Sequence, residues 1–244
     1  MPAGDDINSS DSVTKAARDS KSTRSTKSTK GTQTRQSIRT KALTLFNEAG
    51  ACFSTTHDIA AAVGISPGNL YYHFRSREEI ILEIFDEFVG TSQGYLSTPA
   101  NFTGRSPVEA LIPWFHLMWD YRFLYRERIL LIDRDPVLRE RWMQSQERSL
   151  KLLMPVARLC EAQGIVNPLG DDAHVSRILT NSIIIGNSFI SNFGDGSHAT
   201  REAIEWGFRQ IAQYWLTYHT EKWKPAVLRY LNADLSESFV FRNG

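Results

Sequence analysis

The chain has 244 residues, of which 41% are hydrophobic and 11% aromatic, so most of it can bury an ordinary core. The net charge is +1, but residues 20–77 carry nine basic and two acidic side chains, which suits contact with a polyanion. An apolar run of about 18 residues is missing, which argues against a membrane span, and the unpaired Cys52 and Cys160 suggest free thiols in a reducing cytoplasm.

The first 33 residues contain almost no large apolar side chain, and residues 21–30 read KSTRSTKSTK. Such a segment buries too little apolar surface to offset the entropy of ordering the chain. We therefore expect residues 1–33 to form a disordered, basic, Ser/Thr-rich tail. It either solubilises the protein or adds contacts to a polyanion.

A helical pattern begins at residue 34, and apolar residues recur at helical spacing up to Gly50. Thr55 followed by Asp58 predicts a capping box at the start of a second helix. Gly64 can adopt the left-handed backbone conformation that ends this helix. Ser66 is then expected to cap a third helix. Residues 55–74 thus read as helix, short turn and helix.

The last of these helices carries side chains with little apolar surface to bury. Asn69, Tyr71, Tyr72 and His73 can donate to or accept from base edges and phosphates, and a single helix fits the major groove of DNA. The alternative from spacing alone is an ordinary helical hairpin with a few exposed aromatic residues.

The run TTHDIAAAVGISPGNLYYHFRSREEI resembles the DNA-binding signature of the TetR family of regulators, over about residues 35–85. The resemblance implies an N-terminal three-helix helix-turn-helix domain over residues 34–80. It also implies a helical ligand-binding and dimerisation domain over residues 81–220, followed by an extension over residues 221–244. The residues that it places on DNA are Thr55, Thr56, Pro67, Gly68, Asn69, Tyr71, Tyr72, His73 and Arg77. Arg77 stands where the family usually has Lys.

Helical periodicity continues beyond residue 77, and no alternating pattern persists long enough for a sheet. We expect a fourth helix ending before Pro99 and a fifth ending near Tyr125. Further helices are expected at residues 129–132, 136–161, 172–194 and 197–219, with a short last one near residues 227–231. The fold class is therefore all-α, with about nine helices.

Aromatic residues are dense between positions 114 and 142. In a TetR-like protein this region encloses a ligand pocket, whereas in any helical domain it can simply be core. The expected pocket residues are Trp114, Phe115, Met118, Trp119, Arg122, Tyr125 and Trp142. The implied effector is a small apolar molecule, such as a fatty-acyl or aromatic compound.

Two apolar seams of heptad-like spacing run along the helices after residue 172, a pattern typical of near-parallel helix packing. TetR-like proteins usually dimerise through such a helix pair, while the alternative is that both seams face the protomer's own core. The residues expected at the dimer interface are Ser182, Gly186, Phe189, Phe208, Ile211 and Trp215.

The sequence patterns that would indicate an enzyme are weaker than those that indicate DNA binding. Residues 64–68 match the G-x-S-x-G pattern, but a nucleophile elbow needs a strand before the serine, and here a helix precedes it. No metal or cofactor motif is present. The sequence therefore predicts a cytoplasmic, homodimeric, sequence-specific DNA-binding regulator, a repressor released from its operator by a ligand. An activator, a ligand-independent regulator and a helical hydrolase or carrier are the alternatives.

Overall fold

The computed structural model describes residues 31–193 and 201–232, and these are almost entirely helical. The N-terminal part holds four helices, with α1 at residues 31–49. They continue with α2 at Thr56–Val63, α3 at Pro67–His73 and α4 at Arg77–Leu96. The prediction of an all-α fold is confirmed, since the only β-pairing in the described part is a single bridge between Val166 and His219.

The remaining helices form a larger bundle. A 3-10 turn at Pro99–Asn101 precedes α5 (Pro107–Ala110), α6 (Ile112–Asp120), α7 (Arg122–Arg126), α8 (Arg128–Arg134), α9 (Pro136–Ala162), α10 (Asp172–Phe193), α11 (Arg201–Leu216) and α12 (Lys224–Asn232). The prediction of about nine helices treated α5, α6 and α7 as one. None of the described helices is both long and apolar enough to cross a bilayer.

The predicted fifth helix is interrupted twice. Pro113 lies at the start of α6 and has no N–H with which to continue α5, so the chain breaks at Leu111. The second break is at Tyr121, whose ψ angle is 31°. There the Asn47 side chain takes over two backbone hydrogen bonds, as described below. That contact comes from a residue far away in the sequence.

One apolar core runs through both parts of the protein. It extends without interruption from Ile38 on α1 to Val227 on α12. The helix α4 belongs to both parts, because Glu79 and Glu83 near its start pair with Arg35 on α1, and the same helix packs on α9. The C-terminal extension is partly integrated, since the Tyr230 ring packs edge-on against Phe208 at 5.6 Å between centroids.

The boundary of the N-terminal tail differs from the prediction. Residues 31–33 are already helical and belong to α1. The reason is tertiary, because Arg35 anchors this end of α1 to α4 through Glu79 and Glu83. The tail prediction for residues 1–30, and that for residues 233–244 of the extension, lie outside the described residues.

A buried histidine links the bundle to the start of α5. His219 is fully buried; its Nδ1 is 2.8 Å from the carbonyl oxygen of Trp215, so Nδ1 carries the proton and donates. The neutral Nε2 then accepts from the hydroxyl of Ser106, 2.8 Å away. Burial lowers the pKa of His219 below its ordinary value near 6.5, although the bond to Trp215 opposes this.

This lowered pKa predicts a loss of stability in acid. Because the unfolded chain takes up the proton more readily than the folded one, stability should decline as pH falls through about 6.5. The decline should level off below the lower, folded-state pKa. Urea unfolding of the wild type and of His219→Gln across this range measures the effect. The variant should show the smaller pH dependence, and equal slopes would contradict the assignment.

Candidate nucleic-acid interface and adjoining cavity

The helix-turn-helix is built from local caps. The Thr55 side chain accepts from the Asp58 N–H, and the Asp58 carboxylate accepts from the Thr55 N–H, so the predicted capping box is confirmed. Gly64 has φ +79°, the left-handed conformation that ends α2. The Ser66 hydroxyl accepts from the Asn69 N–H at 3.2 Å and caps α3. Each contact spans at most four residues, so the sequence alone could specify it.

The α3 helix buries one side and exposes the other. Leu70 and the following Phe74 are fully buried, whereas Tyr72 is 82% exposed. The Tyr71 hydroxyl lies 3.0 Å from that of Thr56 and ties α3 to the start of α2. The other predicted DNA-contacting residues of this surface are Thr55, Pro67, Gly68 and Asn69, all exposed, and the half-buried His73.

Arg35 on α1 holds the far end of α3, a role that the sequence analysis missed. Its guanidinium lies 3.9 Å from the centre of the Phe74 ring and donates to the backbone carbonyl of His73. It also pairs with Glu79 and Glu83 on α4. Burial alone would lower the pKa of Arg35, but these glutamates raise it overall. Arg35 therefore fixes α3 against α1 and α4.

The guanidinium of Arg77 makes more contacts within the protein than is expected of a residue that binds phosphate. Its guanidinium donates to the carbonyl oxygens of Cys52 and Ser54, each at 3.2 Å, and pairs with Glu78 at 2.8 Å. Arg77 therefore braces the loop before α2, and its charge is partly neutralised. A phosphate contact by Arg77 stays a prediction.

A buried ion pair on α7 and its C-cap fastens the end of α1. The Glu127 carboxylate, only 7% exposed, accepts from the backbone N–H groups of Ala51 and Cys52 at 3.0 and 2.7 Å. Arg126 pairs with Glu127 at 3.1 Å and donates to the carbonyl of Phe46. Burial, and secondarily Glu127, raise the pKa of the Cys52 thiol to about 11, so this thiol is unreactive.

Asn47 completes this arrangement from the α1 side. Its amide donates to the carbonyl of Asp120 at 2.7 Å and accepts from the N–H of Phe123 at 3.1 Å, across the break between α6 and α7. Arg126 donates in return to the Asn47 carbonyl. We refer to Asn47, Arg126 and Glu127 as the polar cluster. No short-range sequence pattern marks it, because its contacts with the end of α1 join residues 73 to 80 positions apart in the chain.

A cavity of about 100 Å³ lies among α4, α9, α10 and α11, and Tyr125 of α7 contributes to its wall. Among the predicted pocket residues, only Trp114 and Tyr125 line it. Phe115 and Met118 are fully buried core residues. The other three residues lie beside the cavity or away from it, with Trp142 stacked on Phe85 and Arg122 stacked over Trp119. Trp114 and Tyr125 thus line this cavity, whereas a ligand contact by the other five residues stays a prediction.

The predicted dimer residues also require correction. Phe208, Ile211 and Trp215 are buried in the protomer's own core and cannot reach a partner. Gly186 is packed so closely that a Cβ there would lie 2.8 Å from the Trp114 ring. Ser182 accepts from the Trp215 indole at 3.1 Å and lines the cavity, as do Ile211 and Trp215. The Phe189 side chain lies outside the described residues.

Comparisons with known proteins agree with this architecture. The family profile named TetR, described as a bacterial transcriptional repressor, matches residues 95–227. A second profile, for bacterial regulatory proteins of the tetR family, matches residues 38–84. A solved TetR-family transcriptional regulator from Marinobacter aquaeolei is 32% identical, with a TM-score of 0.66, and the alignment covers 80% of this chain and 95% of that one.

Two curated repressors named KstR2 are also similar. The one from Mycolicibacterium smegmatis is 33% identical over 81 residues, or 33% of this chain and 39% of that protein. The one from Rhodococcus jostii is 32% identical over 131 residues, or 45% of this chain and 62% of that protein. The matched regions span less than two thirds of either relative.

The polar cluster predicts a large and position-specific loss of stability. Glu127→Ala leaves two buried N–H groups and Arg126 without their acceptor, so the free energy of unfolding should fall by about 3 kcal/mol. Glu127→Gln keeps one acceptor oxygen, so its free energy of unfolding should lie between those of the wild type and Glu127→Ala. Glu147→Ala removes an exposed glutamate paired only with Lys151 and should have no measurable effect. Urea unfolding compares the three, and equal stability of the two alanine variants would refute the role of Glu127.

Proposed function

The chain belongs to the TetR family of bacterial transcription regulators, and we propose that it is a repressor that binds operator DNA as a homodimer. A small ligand in the cavity releases it. The observation that carries this proposal is α3, which presents exposed hydrogen-bonding residues while Arg35 holds its other end. The two relatives named KstR2 are themselves called transcriptional repressors.

The DNA-binding surface consists of the start of α2 and the exposed side of α3. Thr56 lies in the first turn of α2, where a helix start can bind a phosphate, whereas both donors of Thr55 are engaged by Asp58. Tyr72 and His73 are our candidates for contacts with base edges. The basic excess of residues 20–77 supports the approach of a polyanion. Operator binding places the protein's action in the cytoplasm.

The cavity is our candidate for the effector site. Its walls are largely apolar, and Tyr125, Trp114 and Trp215 are among them. Two proteins of this fold have been solved with ligands. A Saccharomonospora viridis regulator holds choline (18% identity, TM-score 0.58, 75% of this chain and 96% of that one). SmeT holds triclosan (18% identity, TM-score 0.54, 78% of this chain and 93% of that one). These structures support uptake of a small molecule by this fold.

Two rigid connections run from the cavity to the DNA-binding surface. The first is α4, which supplies Phe88 and Ser92 to the cavity wall and begins directly after α3. The second is α7, where Tyr125 lines the cavity and the next two residues, Arg126 and Glu127, hold the end of α1. A ligand that prefers one position of these helices shifts α3 and weakens operator binding. A coupling of about 1–3 kcal/mol is ordinary for such proteins.

The outward face of α10 is our candidate for the dimer interface. Ile184, 56% exposed, is the large apolar residue at its centre, and the smaller Thr180 and Asn181 beside it allow a second helix to approach. The Tyr214 hydroxyl on α11 donates to the carbonyl of Ile178 on α10 at 3.3 Å, which joins the two helices. Exposed apolar residues on a rigid helix pair are typical of subunit contacts.

The exposed side of α3 leads to a testable prediction. Selection from a random DNA library should yield a two-fold symmetric site with half-sites about 34–36 Å apart. Tyr72→Ala should weaken binding to this site by about 1–3 kcal/mol, while binding to unrelated DNA changes little. Tyr72→Phe separates the hydroxyl from the ring, and Met143→Ala, an exposed site on α9, is the control. Fluorescence anisotropy measures DNA binding by the wild type and the three variants. Wild-type affinity of Tyr72→Ala would mean that another surface of the protein reads the DNA sequence.

The proposed subunit contact leads to another testable prediction. Ile184→Glu places a charge at the centre of the proposed interface and should convert the dimer to monomers at micromolar concentration. Met143→Glu introduces the same charge at another exposed apolar site, 68% exposed, and should leave the dimer intact. Sedimentation velocity distinguishes the two. An intact dimer for Ile184→Glu would move the interface to another face.

A further inference from the structure

The cavity wall carries no charge among the described residues. None of the side chains that line it belongs to Asp, Glu, Lys, Arg or His. A charged group moved into such surroundings loses its hydration and gains no partner ion. The interior of the cavity therefore disfavours carboxylates and ammonium groups and accepts neutral molecules.

The Tyr125 hydroxyl in this wall lacks a partner among the described residues. Tyr125 is 3% exposed, and no described residue hydrogen-bonds to its hydroxyl. Its ring is held edge-on by Phe88 at 5.8 Å and by Trp142 at 5.9 Å between centroids, so the phenol cannot turn away. The hydroxyl belongs to a side chain that is almost wholly buried and lines the cavity, so a ligand there can supply the partner that it lacks.

The other polar side chains of the wall are already engaged. Ser92 and Ser145 donate to backbone carbonyls of their own helices, and Asn187 donates to Gln146 at 2.7 Å. Ser182 accepts from Trp215 and donates to its own helix. Ser149 has no partner either, but it is half-exposed and can bind solvent. Among the buried polar side chains of the wall, Tyr125 is thus the one to which the described residues give no hydrogen bond at all, while Asn187 uses only its amide nitrogen.

The hydroxyl of Tyr125 acts as a donor here. Burial raises the pKa of Tyr125 well above its ordinary value, so the proton stays on the oxygen. A ligand that only donated to this oxygen would leave the phenol proton without an acceptor among the described residues. A ligand oxygen that accepts satisfies the site in a single contact.

The size of the cavity links binding to movement. A 150 Å³ cavity is known to hold benzene, whereas this one measures about 100 Å³. A ring-sized ligand must push the walls apart, and those walls include α4 and α7. Occupancy therefore favours a different helix arrangement, which is the condition for a ligand to change DNA affinity.

We infer that the effector is an uncharged, mainly apolar molecule with a carbonyl-type oxygen that accepts a hydrogen bond from Tyr125. This rests on the proposed function of the cavity as the effector site. The inference narrows the effector from apolar compounds in general to neutral ketones, esters, lactones and amides. It excludes ligands whose charged group enters the cavity.

Three molecules of the same shape test this chemistry. Acetophenone carries a carbonyl, α-methylstyrene replaces that oxygen by a methylene group, and benzoate carries a charge. Binding to the full chain is followed through Trp114 and Trp215 fluorescence and through ligand-observed NMR. Acetophenone should bind about 3–10-fold more tightly than α-methylstyrene, the worth of one hydrogen bond, and benzoate more weakly than both.

Variants assign the effect to Tyr125. Tyr125→Phe keeps the ring and should abolish the preference for acetophenone over α-methylstyrene. Tyr95→Phe is the matched control, because its hydroxyl donates to Ala110 outside the cavity wall, and it should keep the preference. Circular dichroism verifies that both variants fold. The comparison of the three ligands on the wild-type protein does not depend on these two variants.

The possible failures are distinct. Equal binding of acetophenone and α-methylstyrene would refute the role of Tyr125, and benzoate binding as tightly as acetophenone would refute the neutral ligand class. Binding of none of the three would refute the inference altogether. Operator binding is measured without ligand, so a protein that binds its selected site but none of these compounds remains a repressor with a different effector site.

Discussion

Backbone groups at the end of α1 and just beyond it hydrogen-bond to side chains of α7 and its C-cap. A helix leaves its last carbonyls and the following N–H groups in need of partners, which a local cap usually supplies. Here Arg126 donates to the carbonyls of Phe46 and Asn47, and Glu127 accepts from the two N–H groups beyond Gly50. The position of α1 is therefore set by the larger bundle.

That dependence continues to the DNA-binding surface. Arg35, at the other end of α1, holds the last turn of α3 through Phe74 and the His73 carbonyl. Any movement of α7 is passed along α1, and any movement of α4 acts on α3 directly. The division into residues 34–80 and 81–220 describes two roles, while a single apolar core and two polar contacts join them mechanically. A helix-turn-helix mounted in this way can respond to events in the bundle without a flexible hinge.

The sequence predicted the helix-turn-helix well because its determinants are local. Thr55 with Asp58, Gly64 and Ser66 act within one turn of chain, and each occupies the predicted position. The start of α4 is also capped locally, since the Ser76 hydroxyl accepts from the Glu79 N–H and the Glu79 carboxylate accepts from the N–H of Arg75. Asn47, Glu127 and Arg35 escaped prediction because their partners are far away in the sequence. A signal for Arg35 was present, since Glu79, Glu83 and Glu87 repeat at the helical period and complement Arg35 and Arg39.

The errors in the bundle share one physical cause. Helical periodicity identifies a buried face but does not say what covers it, so the seams of α10 and α11 could not distinguish a second subunit from the protomer's own core. Aromatic density was misleading for a related reason. Large rings such as Phe115 fill space, whereas a cavity forms where side chains on buried faces are too small to meet. Ser145 and Ser149 stand one turn apart on α9, and Ser92 and Ser182 face them from α4 and α10. Small hydroxyl residues at helical spacing on otherwise apolar faces are thus the sequence signal for this cavity, and the neighbouring aromatic residues supply its walls.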